Sequence, residues 1–439
     1  MLQNGVIPKS EPLIRVGIIL PEDKQNSLNL EITHPQHTEL TLGSGSQLSL
    51  KSTSLDVEIN DHRLCVKTNG NSISSNSLKI KQTNNDSSVT IHSVIAGRGF
   101  HWAKHIPVKL PHTVEFSVVD GHLLLINELP LETYLACVAT SEMGAACPSA
   151  FLEAQTIVAR SWMLANIEQK HISLGFDVCN DDCCQRYQGK NNFTEQSFTA
   201  SFASSGQVLI YDEKICDARY SKSCGGVMET FENLWENTPL PYMKNITDTP
   251  QAVPKDLSDE NTAKEWILSS PISYCSSEYI PEKDLKKYLG DVDESGEYYR
   301  WTVEISQEEL CKHLQNIMDP ELATVLDLLP LKRAGSARLL ELEIQYLNKS
   351  GTKKTKIVYK DYEVRRLLHP MFLYSSAIVI DKKEADPSKT PEKFIYHGAG
   401  WGHGAGLCQI GGLGMGLNGK SAEEIVLHYY PGSKLEKIY

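Results

Sequence analysis

The sequence predicts an α+β fold: a β-rich N-terminal unit, then a mixed α/β region that an insertion splits. Three observations carry this. Alternation of apolar and polar residues dominates as far as about Leu129. At Pro130 the texture changes to helical spacing. A stretch at 246–297, rich in Pro, Asp, Ser, Glu and Lys, then interrupts the second region. The predicted parts are 1–90, β-rich; 91–245, carrying Glu142 and a cysteine cluster; 246–297, an insertion or linker; and 298–439, ending in a Gly-rich, His-containing loop. The 439 residues suffice for two or three modest domains. Hydrophobic residues at 41% and charged residues at 22% are the proportions of a globular protein. A net charge of −12 argues against nucleic acid as a partner, since phosphate binding needs a basic face. No apolar stretch approaches the roughly 18 residues of a membrane helix.

Taken in order, Leu40–Ser52, the run DVEINDHRLCVKT and the run LKIKQTNNDSSVTIHSV alternate between Asn, Asp, Gly and Ser turns, which is the hairpin pattern. Strands continue through IPVKL, TVEFSVV and HLLLINEL. Leu131, Tyr134, Leu135 and Val138 then share one helical face. Pro148 suits the first position of a second helix, with Phe151, Ala154, Val158, Trp162 and Ala165 as its buried stripe and an end near Lys170. Residues 195–245 return to strand-like runs. SQEELCKHLQNIM reads as a helix with Ser306 as N-cap. ARLLELEIQYL and KKTKIVY read as a hairpin, and YEVRRLLHP as a short helix. The N-terminus lacks a charged start, apolar core and small-residue cleavage site, so as written it directs the chain nowhere but the cytoplasm.

Several motifs bear chemistry. GMGLNGKS, Gly414–Ser421, matches the phosphate-loop pattern, yet more glycine precedes it where a buried strand is required. No nucleotide is expected; Ser421 with Glu424 instead reads as a helix-capping pair. The chain has 11 cysteines, an odd count and too sparse for a disulfide framework. Cys179, Cys183 and Cys184 follow closely on His171, and three thiolates with an imidazole suit tetrahedral, structural zinc. Buried thiols, or a disulfide to a distant cysteine, are the other readings. Glu142 in ATSEMG stands at a helix end among small apolar residues, where desolvation favours the protonated form that a general acid needs. In HGAGWGHGAGLCQ, glycine allows close backbone approach, and His397, His403 and Gln409 are candidates to line a groove. RYSKSCGGV, Arg219–Val227, is a strand ending in a paired-glycine turn.

Together these segments resemble the stage II sporulation protein D / LytB amidase-enhancer family. NELPLETYLACVATSEM with AFLEAQTIVARSWML resembles its helix pair. YSKSCGGVMETFENLW resembles its central Ser/Gly-Gly segment, and GAGWGHGAGLCQIGGLGMGLNGKSAEEIVLHYYPGS its C-terminal signature. The resemblance implies a lytic transglycosylase of peptidoglycan that cuts the MurNAc–GlcNAc bond and leaves a 1,6-anhydro end. It implies Glu142 as catalytic acid, and Tyr220, Ser223, His403 and Gln409 as substrate-binding residues. It implies structural zinc on His171, Cys179, Cys183 and Cys184, and glycan strands as the partner. A cell-envelope or periplasmic location is implied by it too. The family's other activity implies the alternative, a non-catalytic glycan-binding enhancer of a cell-wall amidase. Departures from the family pattern are Gly144 where Pro is usual, Cys408 where Ser is common, and Ile410-Gly411-Gly412 for Tyr-Gly-Ala.

Overall fold

Along Ser27–Ile32 exposed and buried residues alternate strictly, so one face of the strand enters a core and the other meets water. The computed structural model describes the chain except residues 51, 69, 100–102, 166, 290–295 and 385–389. The described chain is the mixed α+β fold that the alternation and helical spacing predict. It divides into two units.

The first unit comprises Met1–Asp217, joined by Tyr288, Leu289 and Glu436–Tyr439. A seven-stranded sheet runs in the order Val178–Cys179, Leu13–Ile19, His122–Pro130, Thr113–Val119, Ser77–Gln82, Thr38–Leu42, Gln47–Leu48. A six-stranded sheet runs Lys104–Leu110, Val89–Ala96, Ser27–Ile32, Ser54–Asn60, Arg63–Thr68, Asn71–Ser75. One hydrophobic cluster draws on both, with Ile14 and Leu125 from the first and Leu30 and Val57 from the second. Two tight hairpins fix register through paired positive φ angles: Asp61 (49°) with His62 (60°), and Asp120 (51°) with Gly121 (79°). Residues 1–90 are not a separate unit, contrary to expectation. Leu13–Ile19 pairs with His122–Pro130, and Ser77–Gln82 with Thr113–Val119, so hydrogen bonds of one sheet cross the expected boundary.

Helix α1 (Leu131–Glu142) continues directly from the strand His122–Pro130, and every residue of it except Thr133 is buried. Helix α2 (Ser149–Ala165) stops short of the expected Lys170, and Gln169 turns left-handed at φ 46°. Its Arg160 is fully buried and grips Glu132 of α1, which also accepts from Gly206 N at 3.1 Å and the Tyr439 hydroxyl at 2.6 Å. Helix α3 (Glu195–Ala203) completes the helical layer.

The second unit comprises Ala218–Lys287 and Glu294–Leu435, so the boundary falls after Asp217 and not near residue 245. The stretch 246–297 is more than a surface linker. It forms α4 (Glu260–Leu268) and α5 (Glu282–Leu285), and its Leu257, Ala263 and Ile267 share a core with Val227, Ala337, Ala377 and Ala399. Two three-stranded sheets come next, Arg300–Ser306/Lys393–Ala399/Ile378–Lys383 and Leu322–Arg333/Leu339–Asn348/Lys353–Tyr359. Between their strands lie α6 (Gln307–Ile317), capped by Ser306 as predicted, and α7 (Asp361–Leu368). The Gly-rich tail ends in α8 (Gln409–Leu417) and α9 (Ala422–Tyr429). No helix among the described residues is long and apolar enough to cross a membrane.

Candidate active site and cysteine centres

Glu142 is the last residue of α1; Met143 is already extended, at φ −136° and ψ 155°. The helix ends there because residues 143–144 join a second segment of the unit. Met143 bridges Leu289, and Gly144 N donates to Tyr288 O at 2.7 Å. A Cβ at Gly144 would lie 2.7 Å from Leu289 O. Glycine therefore replaces the family's usual proline for two reasons: its N–H is in use, and backbone fills the space a side chain would take. Glu142 is 9% exposed, and its Oε1 accepts the backbone N–H of Arg186 at 2.9 Å.

Arg186 belongs to a loop that lies along α1. Gln185 takes the Tyr134 hydroxyl at 3.0 Å and donates to Ala159 O at 3.2 Å. The Tyr187 ring stacks on Tyr134, and its hydroxyl donates to Asn127 at 2.6 Å. Gln188 N donates to the Ser141 hydroxyl at 3.0 Å. Immediately before this loop sit the predicted metal ligands. The donor atoms of His171, Cys179, Cys183 and Cys184 all lie within 4.8 Å of one another. Cys179 Sγ is 3.0 Å from Cys183 Sγ, and Cys184 Sγ is 3.4 Å from His171 Nε2. Hydrogen bonding within the trio drives the Cys183 thiol well below its usual range and pushes Cys179 up to about 12. Three sulfurs and one imidazole nitrogen at this spacing fit a closed zinc site.

The remaining predicted residues lie in the second unit. Tyr220–Ser221 pairs in parallel with Leu407–Cys408, and Ser223 bridges Trp401, so the Ser/Gly-Gly segment and the Gly-rich loop are brought together. Ser223 and Gln409 are buried, Gln409 as the first residue of α8; Tyr220 and His403 are partly exposed. The His403 ring meets Trp235 edge-on, its Nδ1 accepts from Ala405 N at 3.1 Å, and the Tyr220 backbone takes its other hydrogen bond. Burial, then Arg219, Arg338 and Arg365, hold its pKa down at about 3. His403 is therefore a neutral imidazole that fastens the loop. His397 lies on the central strand of its sheet, Lys393–Ala399, with its ring 3.1 Å from the Thr302 hydroxyl of the neighbouring strand. The apparent phosphate loop is not one: Gly414–Leu417 is helical, the Lys420 ammonium pairs with Glu424 at 2.8 Å, and Ser421 caps α9.

Two features escaped the sequence reading. Glu229 is buried, accepts from the Ser336 hydroxyl at 2.5 Å and Thr230 N at 2.7 Å, and ties Gly404 O through its own N–H. Burial raises its pKa. Cys224, Cys275 and Cys408 gather around Asp248, although Cys224 and Cys408 lie 184 positions apart. The one signal in the sequence was cysteine at 408 where serine is common.

Comparisons with known proteins agree with the motifs. A family profile described as Stage II sporulation protein matches residues 119–211, which includes Glu142 and the first cysteine centre. A second, described as a domain of unknown function (DUF8618), matches residues 229–406. The amidase enhancer of Bacillus subtilis (strain 168) is 26% identical over 314 residues, covering 68% of this chain and 39% of that protein. Stage II sporulation protein D of the same organism is 21% identical over 359 residues, covering 78% of this chain and 83% of the relative. An uncharacterized protein of Brachyspira hyodysenteriae is 24% identical over 318 residues, covering 72% of this chain and 69% of its own length.

Proposed function

Because the chain belongs to the stage II sporulation protein D / LytB amidase-enhancer family, we propose that it acts on the bacterial cell wall as a peptidoglycan lytic transglycosylase. The bond cut is MurNAc–GlcNAc, and Glu142 is the general acid and base. One observation carries the reading: the motif's carboxyl closes an almost wholly buried helix, is itself nearly buried, and is aimed by a backbone N–H on Oε1.

The chemistry needs one carboxyl. Glu142 gives its proton to the glycosidic oxygen as the bond to the anomeric carbon breaks. The carboxylate so formed takes the proton of the sugar's own C6 hydroxyl as that oxygen closes on the anomeric carbon. The product is a 1,6-anhydro ring, and Glu142 is protonated again. Ordinary glycosidases set a second carboxyl across the bond because their nucleophile is water or the enzyme itself. Here the nucleophile belongs to the substrate. Arg186 N–H steadies the carboxylate between the two transfers.

Zinc on His171, Cys179, Cys183 and Cys184 has a structural part in this reading. Bound there, it would fix the start of the loop whose next residues bring Arg186 N to Glu142 and Gln188 N to Ser141. Tyr220, Ser223, His403 and Gln409 hold glycan mainly by shaping the Gly-rich loop, since two of them are buried and His403 spends both ring nitrogens internally. The substrate places the protein at the cell envelope.

The amidase enhancer among the relatives favours one other reading, a glycan-binding partner that stimulates a separate amidase. Mass spectrometry of bare glycan strands incubated with the protein separates the two. Anhydro-ended fragments support the transglycosylase. Intact strands, together with stimulation of an added amidase, support the enhancer.

A further inference from the structure

We propose that Cys224, Asp248, Cys275 and Cys408 form a second, closed metal centre of the structural zinc class, inside the second unit. Their four donor atoms lie within 4.8 Å of one another, and all four residues are buried. Cys224 Sγ is 3.8 Å from Cys275 Sγ. Two sulfurs each about 2.3 Å from a tetrahedral zinc stand about 3.8 Å apart. A disulfide, by contrast, needs about 2.05 Å.

The carboxylate is oriented as a ligand. Asp248 Oδ1 accepts the Tyr429 hydroxyl at 2.8 Å and lies 3.3 Å from His428 Nε2, both on α9. Its Oδ2 is turned to the sulfurs, 3.5 Å from Cys224 Sγ. Such outer hydrogen bonds fix metal ligands in place. The sulfurs are prepared too. Cys224 N and Gly411 N donate to Cys408 Sγ at 3.2 and 3.3 Å, and Gly226 N donates to Cys224 Sγ at 3.4 Å. A Cβ on Gly411 would stand 2.4 Å from Asp248 Oδ2, so only glycine leaves the carboxylate its position. A buried carboxylate among three sulfurs is costly without a cation, and a dication removes that cost. Three thiolates and one carboxylate oxygen suit zinc above the harder divalent ions.

The centre joins four distant stretches. Cys224 precedes the Gly225–Gly226 turn, Asp248 and Cys275 come from the insertion, and Cys408 is the N-cap of α8. The ion thus fastens the insertion to the Gly-rich loop, and cysteine at 408 is explained.

The full chain, purified under reducing conditions, tests this by elemental analysis. The variant Cys179→Ser/Cys183→Ser should keep about one zinc per chain. Cys408→Ser, the residue common there, should carry about one zinc fewer than wild type. Cobalt exchanged into Cys179→Ser/Cys183→Ser should give a thiolate-to-cobalt charge-transfer band. The proposal is overturned if that double variant, folded by circular dichroism, binds neither zinc nor cobalt. It is overturned equally if Cys408→Ser matches the wild-type zinc content, or if mass spectrometry finds Cys224 and Cys275 joined as a disulfide.

Discussion

Gly144 and His403 show how much one residue's surroundings decide. At Gly144 the N–H is spent on Tyr288 O, which proline cannot do, and Leu289 O stands where a Cβ would go. Gly144→Pro restores the family's usual residue, yet it should destabilise this protein. Losing that backbone hydrogen bond costs about 0.5–1.5 kcal/mol, and the clash adds to that. Denaturant unfolding measures it; unchanged stability would show that the 288–289 segment does not hold the helix end. His403 yields a pH prediction. Its pKa falls from 6.5 unfolded to about 3 folded, through burial first and three arginines second. Below pH 6.5 the unfolded chain takes up a proton that the folded chain refuses. This stability is therefore complete above about pH 6.5 and is lost as pH falls toward 3. His403→Gln should flatten the acid limb of stability against pH. An imidazole that titrates near 6.5 in the folded protein would contradict the account.

At the scale of elements, the loop from His171 to Gln188 joins the four candidate zinc ligands to a carboxyl. Cys183→Ser removes one ligand of the first centre without touching Glu142. Zinc content should drop, melting temperature should fall, and lytic activity should fall with them because Arg186 N no longer aims Oε1. Full activity with the zinc gone would separate the two sites. Strands and most helices were legible because their periods are local. The Ser306 and Ser421 caps, with Glu309 and Glu424 three residues on, were readable letter by letter. The role of 246–297 was not. Its polar composition hides Leu257, Ala263 and Ile267, which are buried by partners such as Ala337 and Ala399 far along the chain. The first cysteine centre was legible because its ligands fall close together. The second was invisible because tertiary folding alone assembles Cys224, Asp248, Cys275 and Cys408.

At the scale of the whole molecule, the order of motifs carried the family, while the division into units depends on strand pairing that no local pattern announces. Leu13–Ile19 hydrogen-bonds to residues more than a hundred positions later, so the N-terminal strands and the helix bearing Glu142 are one unit. The central claim is that Glu142 moves the proton. Glu142→Gln keeps size and one hydrogen-bonding oxygen but has no proton to transfer. With bare glycan strands as substrate, the initial rate of anhydro-product release should fall by about 10²–10⁴. Glycan binding and thermal stability should stay near wild type. Anhydro products released at the wild-type rate by Glu142→Gln would contradict the account and put the proton donor elsewhere.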